Sequence, residues 1–354
     1  MEHGHWSFSL ELNIESAVSV AATILHESGL RDKPQAAHWL PGGANNRVFK
    51  IECADRAYLL KSYFESAPGL RDRLASDYGF CRFAWEAEVR AVPQPFAAKP
   101  QEKAAIYEFV EGRRLSSGEV TREIVDAAIR FIADLNQHRS SGPALELPSA
   151  AEACFSMAEH LARVDGRVER LRAMDESDPL AKSAAHFVRQ ELVPQWQKLS
   201  SQVATLVDKL PTETAGVLSS ENRCLSPSDF GFHNALLQND GRIRFFDFEY
   251  AGWDDPAKLV CDFFCQPEVP VPIEFLDSFL ERGLTCFGSP EATARRIRLL
   301  LPVYRIKWCC IMLNEFLPEG ARRRRHALGS ADEKGRCRDQ LTKAQRMLSL
   351  APIR

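Results

Sequence analysis

The chain has 354 residues, a formal net charge of −3, and ordinary shares of hydrophobic (45%) and charged (26%) residues. This length exceeds what one hydrophobic core usually serves, so a globular protein with two lobes is expected. The near-neutral charge gives no electrostatic reason to bind nucleic acid or an anionic membrane, which excludes partners chosen by net charge alone.

The ten cysteines are scattered and include no C-x-x-C pair. Cys261 and Cys265 have the spacing of one helix face and lie beside two phenylalanines, which predicts buried, reduced thiols. Reduced thiols, together with an N-terminal sequence that lacks the pattern of a signal peptide, predict a cytoplasmic protein. Arg305 and Lys307 interrupt the apolar region at residues 299–313, so no membrane span is expected.

In chain order, the first predicted element is a helix at residues 14–28. The glycine-rich turn PGGANN, at residues 41–46, then links the first two strands of an antiparallel sheet, and Lys61 lies on the third. Residues 92–96 and 104–112 are typical of two further strands. The first third of the chain is therefore predicted to form a small β-sheet.

The rest of the chain has mainly helical periodicity, and the change falls near residues 111–117. Asp254 or Asp255 is the predicted N-cap of one helix, with Pro256 in its first turn. The other long helical segments have apolar residues on one face and charges on the other: residues 120–138, 150–174, 179–206, 272–283, 291–316 and 331–350.

Two neighbouring segments carry the candidate chemistry. LSPSDFGFHN holds Asp229 and Asn234 on one loop, and the following RFFDFEY holds Asp247. Asp240-Gly241 between apolar runs predicts a hairpin that places Asn234 and Asp247 at the open ends of two paired strands. Such residues also serve local turns, but three oxygen-bearing side chains that converge suit Mg²⁺ and phosphoryl transfer.

Asp229 with Asn234 five positions later resembles the D-x-x-x-x-N catalytic loop of the protein-kinase-like superfamily. Asp247-Phe-Glu resembles the Asp-Phe-Gly metal site of the same superfamily. Within it, the chain is similar to the aminoglycoside phosphotransferase and choline kinase branch, where D-F-E-Y or D-W-E replaces Asp-Phe-Gly.

This resemblance implies an α+β, protein-kinase-like bilobal fold, with a small antiparallel β-sheet N-lobe and a larger helical C-lobe. The implied domains are an N-terminal helical extension at residues 1–35, an ATP-binding N-lobe at 36–112, and a catalytic and substrate-binding helical C-lobe at 113–354. ATP and Mg²⁺ are the implied cofactors.

The resemblance also implies a role for each matched residue. Asp229 is the catalytic residue that orients the acceptor hydroxyl, and Asn234 and Asp247 bind the metal. The helix that follows the third strand offers Asp77, Glu86 and Glu88 as partners of Lys61, and Asp77 is the expected one because the family's acid lies in the first half of this helix. The implied nucleotide-binding residues are Gly42, Gly43, Lys61, Asp77, Glu108 and Val110.

The loop departs from the family pattern. The small-molecule branch usually has H-G-D-x-H, whereas Pro227, Ser228 and Gly231 occupy those places here. His233 either substitutes for the missing histidine, packs, or faces solvent. Asp262 matches the family carboxylate that hydrogen-bonds the loop backbone, and a surface aspartate is the alternative.

The implied function is an ATP-dependent phosphotransferase that acts on a hydroxyl of a small molecule: an aminoglycoside, a sugar or an amino alcohol. The alternatives are a choline/ethanolamine-type kinase, a nucleotide-binding pseudokinase scaffold, and a nucleic-acid-binding module that uses the basic run at residues 322–325. Candidate acceptor-binding residues lie on the late helix: Arg305, Trp308, Asn314 and Glu315. The acceptor itself, ATP versus GTP, and the oligomeric state stay open.

Overall fold

The structure is a computed structural model that describes residues 12–40, 46–63, 71–176, 178–318 and 333–351. Gly42 and Gly43, two of the predicted nucleotide-binding residues, lie outside the described residues, as does the basic run at 322–326. The chain divides into two compact units, which are described separately below. The domain boundaries expected from the sequence stay a prediction.

The first unit draws on Met1–Leu74 and Gln94–Phe109. Its described elements are α1 Ile14–Glu27, β1 Ala36–Trp39, β2 Asn46–Glu52, β3 Ala57–Tyr63, β4 Pro95–Lys99 and β5 Ala104–Glu108. The strands form one five-stranded antiparallel sheet in the order β1-β2-β3-β5-β4.

Helix α1 belongs to the core of this sheet. It begins after Asn13, whose side chain accepts a hydrogen bond from the Ser16 backbone N–H at 2.8 Å and caps the helix. Its buried face, which includes Ile24, shares one apolar cluster with the sheet residues Phe49 and Leu60. The helix predicted ahead of the sheet therefore helps to stabilise it by burying apolar surface.

The second unit draws on Ala75–Pro93 and Val110–Arg354. The first two residues of its first helix, α2, belong to the first unit. Its described helices are α2 Arg73–Glu86, α3 Arg122–Gln137, α4 Gly142–Leu145, α5 Met157–Leu171, α6 Pro179–Phe187, α7 Val193–Val207, α8 Thr212–Ala215, α9 Pro256–Cys265, α10 Leu276–Gly283, α11 Pro290–Leu313 and α12 Glu333–Ser349. Its described strands are β6 Arg113–Arg114, β7 Cys224–Ser226, β8 Ala235–Leu237, β9 Ile243–Phe245 and β10 Gly252–Asp254. They form a three-stranded sheet, β6-β8-β9, and a two-stranded pair, β10-β7.

The antiparallel sheet of one unit and the helices of the other confirm the α+β fold class expected from the sequence. Helix α5, however, begins at Met157 and not at residue 150. Ser156 caps it by accepting a hydrogen bond from the Glu159 N–H at 3.2 Å, while the Ala150 N–H donates to the Trp253 carbonyl. None of the helices within the described residues is both long enough and apolar enough to cross a bilayer.

Five phenylalanines form the part of the core that positions the candidate site. Phe131 of α3 stacks on Phe245 of β9, with ring centroids 4.7 Å apart, and contacts Phe248 at 6.4 Å. Phe230, on the loop after β7, stacks on Phe263 of α9 at 4.9 Å. Because these rings come from different elements, their packing fixes the loop relative to the hairpin.

All ten cysteines are free thiols, and seven of them are buried. Cys261 and Cys265 are both fully buried on α9, which confirms the prediction made from their spacing. Burial raises the pKa of both thiols, so they stay protonated and unreactive.

Candidate active site

The loop between β7 and β8 presents one carboxylate just before two buried rings. Phe230 and Phe232 are 2% and 0% exposed, whereas the Asp229 side chain is 40% exposed. The chain bends at Ser228, whose φ of +67° lies in the left-handed region. Ser226 Oγ accepts a hydrogen bond from the Ser228 N–H at 3.0 Å, which supports this bend. The apolar rings anchor the loop and leave the acid accessible.

Asp229 is held by two residues at the end of the same loop. His233 Nε2 lies 3.3 Å from Asp229 Oδ1. Asn234 Nδ2 donates to the Asp229 carbonyl oxygen at 3.0 Å and lies 3.4 Å from Asp229 Oδ2. His233, for which three roles were open, therefore contacts the carboxylate of Asp229. The four-residue spacing of Asp229 and His233 is a signal that finds this pair.

These contacts favour the ionised form of the Asp229 carboxyl group. Burial raises the pKa of its carboxyl, but the hydrogen bond and charge of His233 and the hydrogen bond from Asn234 outweigh burial, so the pKa lies below its ordinary value. Lys307 adds a smaller effect in the same direction. Asp229 is therefore an ionised carboxylate at neutral pH, able to accept a hydrogen bond from a hydroxyl group.

The hairpin predicted from Asp240-Gly241 is confirmed, since β8 pairs with β9 in antiparallel register. Asp247 follows β9 with a φ of +69°, a left-handed conformation that is uncommon outside glycine and concentrates at functional sites. On one side of it, the Phe246 N–H donates to the Asn234 carbonyl at 3.0 Å. The structure therefore brings Asn234 and the backbone of Asp247 together.

On the other side of Asp247, the Phe248 N–H donates to Asp77 Oδ1 at 2.9 Å. Asp77 lies on α2 and is 2% exposed. The predicted partner of Lys61 thus holds the backbone one residue after the predicted metal ligand. Sequence reasoning missed this contact because 171 residues separate the two groups.

The oxygen donors at the end of the hairpin fit a hard cation. Asn234 Nδ2 is used by Asp229, and Asn234 Oδ1 accepts no hydrogen bond from the described residues, so this oxygen is available as a ligand. Asp247 adds a carboxylate. Mg²⁺ is usually held by one or two such protein groups, with water and substrate phosphates completing its shell. The part of the chain that the structure describes contains no cluster of three or more His, Cys, Asp or Glu suited to a metal.

The other predicted nucleotide-binding residues belong largely to the first unit. Lys61 lies on β3 opposite Val48 and Ala105, is 6% exposed, and its Nζ is 5.2 Å from the centroid of the Tyr63 ring. A nearly buried ammonium needs compensation by polar or charged groups. Its pairing with Asp77 stays a prediction.

Glu108 ends β5 and is anchored through both its backbone and its side chain. Its N–H donates to the Gln94 carbonyl at 2.8 Å, and the Gln94 N–H donates to Glu108 Oε2 at 3.1 Å. Val110 begins the second unit's segment and is 8% exposed. Their role in binding adenine stays a prediction.

A buried lysine lies beneath the loop. Lys258 is 2% exposed, and its Nζ lies 2.5 Å from Asp254 Oδ2, 3.8 Å from Asp262 Oδ2 and 3.5 Å from Ser228 Oγ. Burial lowers the pKa of Lys258, but the two carboxylates outweigh burial and raise it, so the lysine stays charged. Lys258 is four residues from both Asp254 and Asp262, and this i, i+4 spacing is a sequence signal that could have predicted both contacts.

The role predicted for Asp262 is wrong. Its carboxylate does not bond the loop backbone: it accepts hydrogen bonds from Lys307 Nζ at 2.8 and 2.9 Å and from Trp308 Nε1 at 2.9 Å. The reason is charge, because Lys258 and Lys307 both lie beside this nearly buried acid. Trp308, a candidate acceptor-binding residue, therefore has its indole N–H engaged within the protein.

Two of three comparisons with known proteins found proteins similar to this chain. The model of the phosphotransferase enzyme family matches residues 38–299. No curated protein matches the chain. The fold is similar to that of a spectinomycin phosphotransferase solved with ADP and spectinomycin, with 10% identity, 96% of this chain and 98% of that chain covered, and a TM-score of 0.60.

Two further solved structures share the fold. A choline/ethanolamine kinase family protein from Mesorhizobium loti is 15% identical, with 94% of each chain covered and a TM-score of 0.56. A choline kinase from Cryptosporidium parvum Iowa II is 14% identical, with 89% of this chain and 90% of that chain covered and a TM-score of 0.50. The resemblance drawn from the loop and hairpin motifs is confirmed.

Proposed function

Because the chain belongs to the phosphotransferase enzyme family and is therefore a small-molecule kinase, we propose that it transfers the γ-phosphate of ATP to a hydroxyl group of its acceptor. The observation that supports this best is the exposed, ionised carboxylate of Asp229 beside Asn234 and the backbone of Asp247. Enzymes that transfer phosphoryl groups typically combine an acid that orients the acceptor with oxygen ligands that hold a magnesium ion.

Asp229 positions the acceptor in this mechanism. Its carboxylate accepts a hydrogen bond from the acceptor hydroxyl and aims the oxygen at the γ-phosphorus. Phosphoryl transfer has a loose transition state, so the hydroxyl becomes acidic only late, when Asp229 takes its proton. His233 and Asn234 keep the carboxylate from rotating.

Asn234 Oδ1 and the Asp247 carboxylate would hold Mg²⁺. A magnesium ion bound there supplies positive charge that neutralises the phosphate oxygens. The nucleotide-binding roles of Lys61, Asp77 and Glu108 are part of the same proposal. The ADP in the similar spectinomycin phosphotransferase is in keeping with an adenine nucleotide as donor.

We also propose a cytoplasmic location, which the ten free thiols support because such thiols persist in a reducing compartment. The acceptor classes expected from the sequence are aminoglycosides, sugars and amino alcohols, with a choline/ethanolamine-type kinase as the alternative. A panel of these acceptors, with ADP release as the measurement, distinguishes them.

The replacement Asp229→Asn tests the proposed reaction. It keeps the size of the side chain and removes the base, so kcat should fall by roughly 10²- to 10⁴-fold with little change in the KM for Mg-ATP. Steady-state ADP release in the presence of the best acceptor measures both constants.

Asp240→Asn is the matched control, since Asp240 lies in the exposed β8–β9 turn and, in the part of the chain that the structure describes, its carboxylate accepts hydrogen bonds from Arg242 alone. This control should keep the activity of the unmodified protein. An Asp229→Asn protein with unchanged kcat would contradict the mechanism. Nucleotide binding without turnover for every acceptor would favour the pseudokinase scaffold.

A further inference from the structure

Three arginines on α5 lie along one flank of that helix. Arg163, Arg167 and Arg170 have i, i+4 and i+7 spacing, which places them in a line; we call them the α5 arginine row. Arg163 and Arg170 are exposed. Within the described residues, neither of these two side chains forms a hydrogen bond or an ion pair. Arg163 and Arg170 therefore carry positive charge that is not paired with an acid among the described residues.

The middle arginine of the row is paired with a carboxylate. Arg167 Nη2 forms an ion pair with Glu152 Oε2, and Arg167 Nε is buried without a hydrogen-bond partner among the described residues. Burial raises the pKa of Glu152, but Arg167, Lys307 and Arg163 outweigh burial and lower it to about 2. Several cations thus act on a single acid.

Contacts close to Glu152 connect the row to the loop that carries Asp229. Two residues after Glu152, the Cys154 N–H donates to Asp254 Oδ1 at 3.2 Å. Asp254 Oδ2 lies 2.5 Å from Lys258 Nζ, and Lys258 reaches Ser228 Oγ at 3.5 Å. Ser228 immediately precedes Asp229.

We propose that the α5 arginine row binds an anionic group of the acceptor, a carboxylate or a phosphate, while Asp229 holds the acceptor hydroxyl. The guanidinium group of arginine binds a planar carboxylate or a tetrahedral phosphate through paired hydrogen bonds. The N–H donors of Arg163 and Arg170 are not used by the described residues. The acceptor is then an acidic sugar derivative or hydroxy acid. A polycationic amino sugar or a quaternary amine is disfavoured, because the row repels it. This inference rests on the proposed phosphotransfer.

Matched acceptors test the substrate class. Gluconate, glucose 6-phosphate, glucose, glucosamine and choline present similar hydroxyls with different charges, and the two anions separate a carboxylate from a phosphate preference. We expect kcat/KM for at least one anion to exceed that for glucose by tenfold or more. A neutral or cationic acceptor that is phosphorylated best would overturn the inference and leave the proposed function standing.

Arg163→Gln and Arg167→Gln test the residues. Arg163 is exposed and forms no hydrogen bond or ion pair with the described residues, so its replacement should leave the fold intact. Both variants should raise the KM for the anionic acceptor at least fivefold, and by more than they raise the KM for glucose. Arg189→Gln is the control: it removes an exposed arginine whose single ion pair among the described residues is with Glu176, and it should match the unmodified protein.

A binding experiment separates the two proposals. Calorimetric titration with gluconate or inorganic phosphate, in saturating ADP, measures anion binding without turnover. Binding that weakens in Arg163→Gln supports the row as an anion site even if no acceptor is phosphorylated, an outcome that would count against the proposed function. Absence of binding by both anions, or equal binding by the variant, overturns the row's role.

Discussion

Gly231 lies two residues after Asp229, and its φ of 171° is extended backbone that any residue adopts. Glycine is therefore needed here because there is no room for a side chain, and not because of its backbone conformation. A Cβ at this position would lie 2.7 Å from His233 Nδ1 and 2.9 Å from Gln266 Cγ. Both distances are shorter than real Cβ contacts, so a side chain at residue 231 has to displace His233 from the Asp229 carboxylate.

Gly231→Ala is accordingly expected to lower kcat by roughly ten- to a hundredfold, because a small misplacement of a catalytic group has a cost of this size. The KM for Mg-ATP should change little. Steady-state kinetics measures both, and urea unfolding shows whether the variant is folded.

Gly142→Ala is the control for this substitution, since a Cβ there would meet nothing within 4 Å. It should behave as the unmodified protein. If Gly231→Ala also keeps full kcat, the contact between His233 and Asp229 has no part in positioning the base.

The local motif was predictable at this scale because spacing along a loop determines which side chains can meet. Asp229 and Asn234 are five residues apart, and their hydrogen bond follows from one turn of the chain. The position of Asp262 was not predictable in this way. Its carboxylate is directed by Lys307 on α11, 45 residues away, and no local pattern gives that pairing.

At the scale of elements, a buried ionic network ties α5, α9 and α11 together. His160 Nε2 lies 3.0 Å from Asp255 Oδ2, and its Nδ1 lies 2.8 Å from the Tyr304 hydroxyl. Arg296 Nε donates to the same Asp255 oxygen at 3.1 Å. The other oxygen of Asp255 caps α9 by accepting from the Ala257 N–H at 2.7 Å. One carboxylate therefore sets the start of the helix that supports the loop.

The charges of this network depend on pH in opposite directions. Burial lowers the pKa of His160, but the hydrogen bond and charge of Asp255 outweigh burial and raise it above 6.5. Burial raises the pKa of Asp255, but His160 and Arg296 outweigh burial and lower it to about 2. The histidine's contribution is fully present below pH 6.5 and is lost as the pH rises through the raised value. The aspartate's contribution is present above its ordinary pKa and is lost toward pH 2.

His160→Gln should therefore lower the free energy of unfolding by about 1–3 kcal/mol at pH 6, and by less at pH 8.5. The amide can replace one hydrogen bond but not the charge. Urea unfolding at the two pH values gives the difference. His186→Gln, an exposed histidine on α6, is the control and should show no such pH dependence. An equal loss at both pH values would mean that His160 is uncharged in the folded protein.

The start of α9 could be predicted, because an N-cap aspartate followed by proline is a local signal. The partners of that aspartate could not, since His160 and Arg296 lie 95 and 41 residues from it. The same distinction explains α5. Apolar periodicity continues back to residue 150, but the Ala150 N–H is taken by the Trp253 carbonyl, a contact made only in the folded chain.

At the scale of the whole molecule, nucleotide binding should stabilise the protein, because a ligand that binds only the folded state shifts the unfolding equilibrium. Mg-ATP at a hundredfold excess over its Kd adds roughly 3 kcal/mol, which raises Tm by several degrees. Removal of magnesium with a chelator should reduce this shift. Thermal unfolding with and without each ligand is the measurement.

Asn234→Ala removes one proposed metal ligand and should reduce the magnesium-dependent part of the shift. Asn239→Ala, an exposed amide in the β8–β9 turn, is the control and should keep the whole of it. An equal magnesium-dependent shift in both variants would argue against Asn234 as a ligand.

Across the whole chain, the sequence predicted the sheet, most helices and the hairpin, because each depends on periodicity or on turn residues close in sequence. It did not predict the α5 arginine row as a feature of the site. In the sequence, Arg163 and Arg167 are ordinary charges on a helix, and only the folded chain brings Glu152 to Arg167.

The buried thiols have a practical consequence. Cys53 is the one cysteine of the first unit, and the seven buried cysteines all lie in the second. An aromatic disulfide reagent should thus label the folded protein at its partly exposed sulfurs within moments and reach the others only when the helical unit opens. The rate of the slow labelling phase therefore reports how often that unit opens, and a tightly bound substrate should lower this rate.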